Sequence, residues 1–257
     1  MPSSWPQVMF RLGAVCFLFM LLCSCRCLNT KTDEKPLDVT IEPCILTRNP
    51  CYTAGRKIDV KGLMLHSVGC PVPSGERWVK LWNRKDYGRA CVHGFIDAHS
   101  GVVYQTLPWD HRGWHCASGP KGSGNNTHIG VEMCEPEFLK YTHGATFVCS
   151  NEAASREMVQ RTYCSAVNLF AYLCNRFQLN PEEPGVIVSH AEGNCLGIAS
   201  AHSDPEHLWR QLKMPLNMDS FRQDVAKKLR VYNHPFRKHL SSGRRTKHQI
   251  CHYGTRG

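Results

Sequence analysis

The chain has 257 residues, room for one ordinary domain with extensions but scarcely for two. An apolar content of 42% and a charged content of 20% exclude a wholly disordered chain. The formal net charge is +10, yet seven Lys or Arg and no Asp or Glu lie between Arg230 and Gly257, so the basic character belongs to one terminus and not to the fold.

Arg11 precedes an apolar run, Leu12 to Leu22, which is followed by Cys23-Ser24-Cys25. The run is short for a bilayer span and suits the apolar core of a signal peptide. Leu22-Cys23-Ser24-Cys25 also loosely resembles a lipoprotein cleavage box, and an uncleaved anchor is the alternative. Residues 1–28 are therefore set apart as a signal peptide or anchor, and the polar stretch 29–40 as a linker. The folded domain is expected over 41–229, with 230–257 a basic, disordered tail. Such a tail can hold an anionic wall polymer or a membrane surface.

Within the domain, Val60 to Val68 predicts a buried strand carrying His66. Ser74-Gly75 starts a helix through Trp78, Leu81 and Trp82. His93 to Asp97 and Val102 to Leu107 predict two strands of a hairpin closed at Ala98–Gly101. His128 to Met133 is another apolar strand. The longest helix opens at Ser150-Asn151-Glu152. Its apolar stripe runs through Val159, Tyr163, Ala166, Phe170, Leu173 and Phe177, and Asn180-Pro181 stops it. Val186 to Ser189 is a strand delivering His190. Short helices are expected over Glu206–Leu212 and from Asn217-Met218-Asp219 to Leu229. Strands alternating with helices, plus a hairpin, predict an α/β single domain with a central mixed β-sheet flanked by helices.

Fifteen cysteines occur with no C-x-x-C pair, which argues against a cysteine-rich metal site and a small disulfide scaffold. Cys164 and Cys174 fall on the long helix and are expected as small buried hydrophobes. Cys44 and Cys51 are close enough in sequence to bridge.

Three strand ends place polar residues where a sheet usually ends: His66, His190 and the segment Ala201–Pro205. Two imidazoles and a carboxylate suit catalytic zinc, which takes three protein ligands and leaves a fourth position for water. Any one of the fourteen histidines is weak evidence alone; the set carries the argument.

The segments LMLHSVG (63–69), VHGFIDAHSGVVYQ (92–105), RGWHCASG (112–119), NNTHIGVEM (125–133), VSHAEG (188–193) and HSDPEHLW (202–209) occur in this order. Together they resemble the zinc-dependent N-acetylmuramoyl-L-alanine amidases, which include phage endolysins and the related peptidoglycan-recognition proteins. The resemblance spans roughly Ile41 to Leu229. It implies hydrolysis of the amide between N-acetylmuramic acid and L-alanine, with peptidoglycan or a muropeptide as substrate and zinc as cofactor.

By the same resemblance His66, His190 and Asp204 are the metal ligands, with Glu192 or a backbone carbonyl holding a ligand imidazole. Glu132 matches the residue that activates water. His202 stands where the family usually has Lys and would steady the oxyanion. His93 aligns with a position that is Tyr in several members and is an alternate base, or a cross-strand packing residue. Trp114 and His115 resemble a substrate-groove pair, and Asn126 lies in a motif beside the site.

A binding-only peptidoglycan module is the alternative, and such proteins typically lack one metal ligand, whereas all three are present here. No nucleic-acid motif or basic stripe is found on the folded part, so no nucleic-acid partner is expected. No H-E-x-x-H occurs, which removes the commonest zinc-peptidase signature. The expected protein is a monomer, secreted or attached to the cell envelope.

Overall fold

The computed structural model describes residues 39–88 and 90–233. The expected leader, all but the last two residues of the linker, and the tail beyond 233 lie outside the described residues.

In chain order the elements are β1 (Ile41–Pro43), α1 (Pro50–Thr53), β2 (Gly62–Ser67), α2 (Gly75–Trp82), β3 (Gly94–Ile96), β4 (Val103–Gln105), a 3-10 turn (Gly124–Asn126), β5 (His128–Met133), β6 (Leu139–His143), β7 (Thr146–Cys149), α3 (Glu152–Phe177), β8 (Ile187–Ser189), α4 (His190–Cys195), α5 (Glu206–Gln211) and α6 (Met218–Asn233). Six strands form one sheet in the order β1-β4-β3-β5-β2-β8, while β6 and β7 pair separately. Only β3 and β4 are antiparallel within the large sheet, so it is mixed, as the alternation of elements predicted.

The sheet has two unlike faces because side chains alternate along each strand. Leu63, Leu65, Ile129, Val131, Met133, Ile96 and Ile187 enter the main core, where they meet Val159, Tyr163, Ala166 and Phe170 of α3 and Phe221 and Val225 of α6. Each fully buried side chain of this size contributes roughly 1.5–3 kcal/mol. Phe221 is the centre of this layer, edge-on to Tyr163 at 5.5 Å and to Phe170 at 5.2 Å. Helix α3 is capped by the Asn151 side chain, which accepts from the Ala154 N–H at 3.1 Å, and ends at Gln178 in the left-handed region.

The opposite face carries Met64, His66, Gly130, Glu132 and Val188. Parallel register sets His66 level with Glu132 and Leu65 level with Ser189, so His190 follows one step beyond, at the height of His66. The site is thus built at the carboxyl ends of adjacent parallel strands, where open α/β sheets place their ligands.

Several elements differ from expectation. The strands β1, β6 and β7 and the short helices α1 and α4 were not predicted. Helix α6 runs to Asn233, four residues past Leu229. Cys174 is buried but Cys164 is exposed, because it lies on the solvent side of α3, off the stripe through Tyr163 and Ala166. Cys44 and Cys51 are free thiols; the Cys51 thiol donates to the Arg112 carbonyl at 3.2 Å.

Candidate functional site

His66 leaves β2 one residue before its end, His190 opens α4, and Asp204 sits in the loop before α5. All three are buried, with 1%, 4% and 7% of their surface exposed. His66 Nδ1 lies 3.1 Å from His190 Nδ1 and 3.2 Å from Asp204 Oδ2, and His190 Nδ1 lies 3.6 Å from Asp204 Oδ1. Among the described residues these three form the one His, Cys, Asp or Glu group able to hold a metal ion. A tetrahedral site with bonds of about 2.0–2.1 Å spaces its ligand atoms by about 3.3–3.4 Å, which the observed separations bracket. Two imidazoles and a carboxylate are also a donor set zinc accepts, so the residues fit the ion.

Electrostatics agrees. Burial pushes the His66 ring down from its usual pKa, so it offers a lone pair, despite the opposing pull of Asp204. Burial would raise Asp204, but the His190 and His66 rings against it prevail and hold its carboxyl far below the usual range. The three side chains that could hold a metal are therefore two imidazoles and a firmly ionised carboxylate.

Glu132 faces the same side of the sheet as His66. Burial first, then the negative charges of Asp204 and Glu135, push its carboxyl well above the usual range. Its Oε2 is sealed from solvent and has no hydrogen-bond partner among the described residues. His202 stacks on His190 with ring centroids 4.3 Å apart and places Nδ1 3.6 Å from Asp204 Oδ1. It is the exposed member of the group.

Five other expected residues are placed as follows. His93 is fully buried, and both ring nitrogens are taken by backbone: Nε2 meets the His111 carbonyl at 2.8 Å and Nδ1 accepts from the Gly130 N–H at 3.0 Å. It is a cross-strand clamp with no nitrogen left to act as a base. His115 commits Nδ1 to His66 at 3.0 Å and Nε2 to the His128 carbonyl at 3.1 Å, so neither is free for substrate. Trp114 bridges Cys91 through its backbone and packs its half-buried ring on the cluster holding Trp82 and Phe95. Asn126 is exposed and accepts from Arg112 Nε at 2.7 Å. Glu192 does not reach His190: it closes a capping box with Ser189 and pairs with Arg222 at 2.9 Å. The second nitrogen of His190 meets Ser200 Oγ instead, at 3.3 Å.

The clamp makes a prediction. Burial holds His93 down at about 4, against 6.5 for a free ring. Between those pH values the unfolded chain takes up a proton here and the folded chain does not. The stability contribution is therefore present above pH 6.5 and is lost as pH falls from 6.5 to 4. His93→Phe leaves two buried backbone groups unpaired and should cost on the order of 2–4 kcal/mol at neutral pH. It should also flatten the decline across that window. Urea unfolding at a series of pH values measures both, and identical slopes for the two proteins would dissociate the titration from this ring.

Sequence reasoning missed a buried network beside Asp204. Glu135 is fully buried, accepts from the Gly69 N–H at 2.9 Å and from the Tyr141 hydroxyl at 2.7 Å, and burial pushes it up to about 7. The same hydroxyl lies 2.8 Å from His207 Nε2. The one available signal was an acidic residue directly following a wholly apolar strand end, Met133-Cys134.

A family model described as N-acetylmuramoyl-L-alanine amidase matches residues 56–207. The N-acetylmuramoyl-L-alanine amidase CwlH of Bacillus subtilis is 44% identical over 50 residues, which cover 18% of this chain and 20% of that protein. The chain thus matches about a fifth of that relative's length. Among solved structures, the hydrolase AmiA of Staphylococcus aureus in complex with its ligand superposes with a TM-score of 0.52 at 20% identity, covering 78% of this chain and 87% of that one. A mutant endolysin from Bacillus subtilis gives 0.50 at 18% identity, over 73% and 99%. At these identities the two structures share the fold.

Proposed function

Because the chain belongs to the N-acetylmuramoyl-L-alanine amidase family, we propose that it hydrolyses the amide between the lactyl group of N-acetylmuramic acid and L-alanine in bacterial peptidoglycan. The observation that carries this reading is the convergence of His66, His190 and Asp204 within 3.1–3.6 Å, on the sheet face that also bears Glu132. An amide is a poor electrophile with a poor leaving group, so an electrophile, a base and an oxyanion donor must meet at one point.

His66, His190 and Asp204 would hold zinc, which when bound polarises a carbonyl and lowers the pKa of a water. Glu132 takes the proton from the attacking water and returns it to the departing nitrogen. Its carboxyl is suited to that exchange because burial has raised its pKa, which makes it a stronger base than an exposed carboxylate. His202 contributes a hydrogen bond, or a charge when protonated, to the developing oxyanion. The products are a muramic acid carboxylate and a peptide beginning with L-alanine. The complete donor set supports hydrolysis over binding alone. Incubating the protein with a soluble muramyl peptide and weighing the products tests the reading: cleavage gives these two masses, and a peptide that stays intact while bound would favour the binding-only alternative.

His202→Lys tests the oxyanion role. Burial, then the neighbouring His190 ring, lower the His202 pKa, so its charge is lost at lower pH than that of a free imidazole. A lysine stays charged to much higher pH. The variant should remain active with the alkaline limb of its pH–rate profile moved upward; an unmoved limb would remove the charge at position 202 from the mechanism.

The same reading has the protein exported through the segment at 1–28 and attached to anionic wall polymer by the basic residues from Arg230 onward. N-terminal sequencing of the mature protein tests export, and a start at Met1 in the soluble cytoplasmic fraction would contradict it.

A further inference from the structure

We infer that His115 is a positioning residue: it fixes the tautomer and orientation of His66, and its own segment, Gly113–Cys116, supports both ligand imidazoles. The inference rests on the reading of His66, His190 and Asp204 as metal ligands and goes beyond it to the residues behind them.

The His128 backbone oxygen can only accept, and it lies 3.1 Å from His115 Nε2, so that nitrogen carries the proton. A neutral ring then presents a lone pair at Nδ1. His66 Nε2 lies 3.0 Å from that lone pair and must donate to it, which places the proton of His66 on Nε2. The remaining nitrogen of His66, Nδ1, is left bare and faces His190 and Asp204. A chain of two neutral imidazoles ending on a backbone carbonyl thus selects the tautomer a metal requires.

The second ligand is held from the same strip of chain. Ser200 Oγ donates to the Cys116 carbonyl at 3.4 Å, and the Ser200 N–H donates to that oxygen at 2.9 Å. The hydroxyl proton being spent, Ser200 Oγ accepts from His190 Nε2 at 3.3 Å, and His190 likewise turns a bare Nδ1 to the cluster.

The strip itself is fixed. Trp114 exchanges both backbone hydrogen bonds with Cys91, at 2.8 and 3.0 Å. The Asn125 side-chain oxygen accepts from the N–H groups of His115 and Cys116 at 2.8 and 3.2 Å. The seat for the His115 ring exists because two facing positions lack side chains. A Cβ on Gly130 would stand 2.4 Å from the ring and one on Gly113 2.8 Å from it. Two glycines, one buried amide and one backbone bridge thus converge on a single ring that contacts a ligand and has no nitrogen left for substrate.

The test uses the full chain, stripped of metal, with zinc affinity measured by competition against a chromophoric chelator. His115→Phe fills the seat but cannot accept from His66, and should weaken zinc binding by roughly 10- to 100-fold. His115→Gln keeps an acceptor oxygen and should recover most of that loss. Long-range proton–nitrogen correlation spectra of the zinc-free wild type should show His115 and His66 both protonated at Nε2. A folded His115→Phe protein with wild-type zinc affinity would overturn the inference. If that variant fails to fold, the spectra decide: His66 protonated at Nδ1 overturns it. A wild-type protein that binds no zinc would instead sink the metal reading, leaving the spectra to judge the relay by itself.

Discussion

Replacing Glu132 by Gln is expected to lower turnover on a muramyl peptide by on the order of a hundred- to a thousand-fold while leaving the fold intact. Gln matches Glu in shape but cannot take a proton. The position tolerates the change because Oε2 has no hydrogen-bond partner among the described residues to lose, and a neutral amide removes the penalty that burial and the charges of Asp204 and Glu135 place on the carboxylate. Stability should therefore hold or rise while catalysis collapses, a combination that a structural carboxylate would not give. Zinc content should also be unchanged, since Glu132 is outside the ligand group. Urea unfolding, metal analysis and single-turnover rates on the same preparation measure all three. A Glu132→Gln protein with near wild-type turnover would remove it as the base; with both His93 nitrogens bound to backbone, His202 would be next in line.

His190→Ala should abolish metal retention and, with it, activity. His190 opens α4 and is 4% exposed, so its loss leaves His66 and Asp204 as a two-residue set, below the three protein ligands of a catalytic zinc site. The local fold should survive, because the Ser189–Glu192 capping box that starts α4 does not involve the imidazole. Dialysed protein should contain well under one-tenth of the wild-type zinc. Full occupancy in the variant would take His190 out of the ligand set.

Much of this was legible in the sequence because parallel strands buried on both faces read as apolar runs, and polar residues at their ends stand out. GLML before His66 and VIVS before His190 are such runs. The alternation of strands and helices likewise led to the mixed sheet. The resemblance pointed to Glu132, and the register then explains it: Glu132 pairs level with His66. What the pattern could not separate was a histidine that meets a metal from one that braces its neighbours. His93, His115 and His66 all lie in or beside short apolar segments, and they differ only in what their ring nitrogens meet. The β6–β7 ribbon escaped for a different reason. It is a half-exposed hairpin whose inward residues are few, Leu139 and Phe147 among them, so its alternation is weak. The exposure of Cys164 follows from a step of one residue off the α3 stripe, which composition does not register.

On the proposed mechanism one zinc ion, held by His66, His190 and Asp204, is required for cleavage of the muramoyl–L-alanine amide. Zinc titration of the chelator-stripped protein, with the mass of the muramyl peptide products followed at each addition, tests it most directly. The expected result is no cleavage at zero zinc, cleavage only at that bond, and a rate that rises linearly to a plateau at one equivalent per chain. Undiminished cleavage by the stripped protein, or cleavage at a different bond, would contradict it.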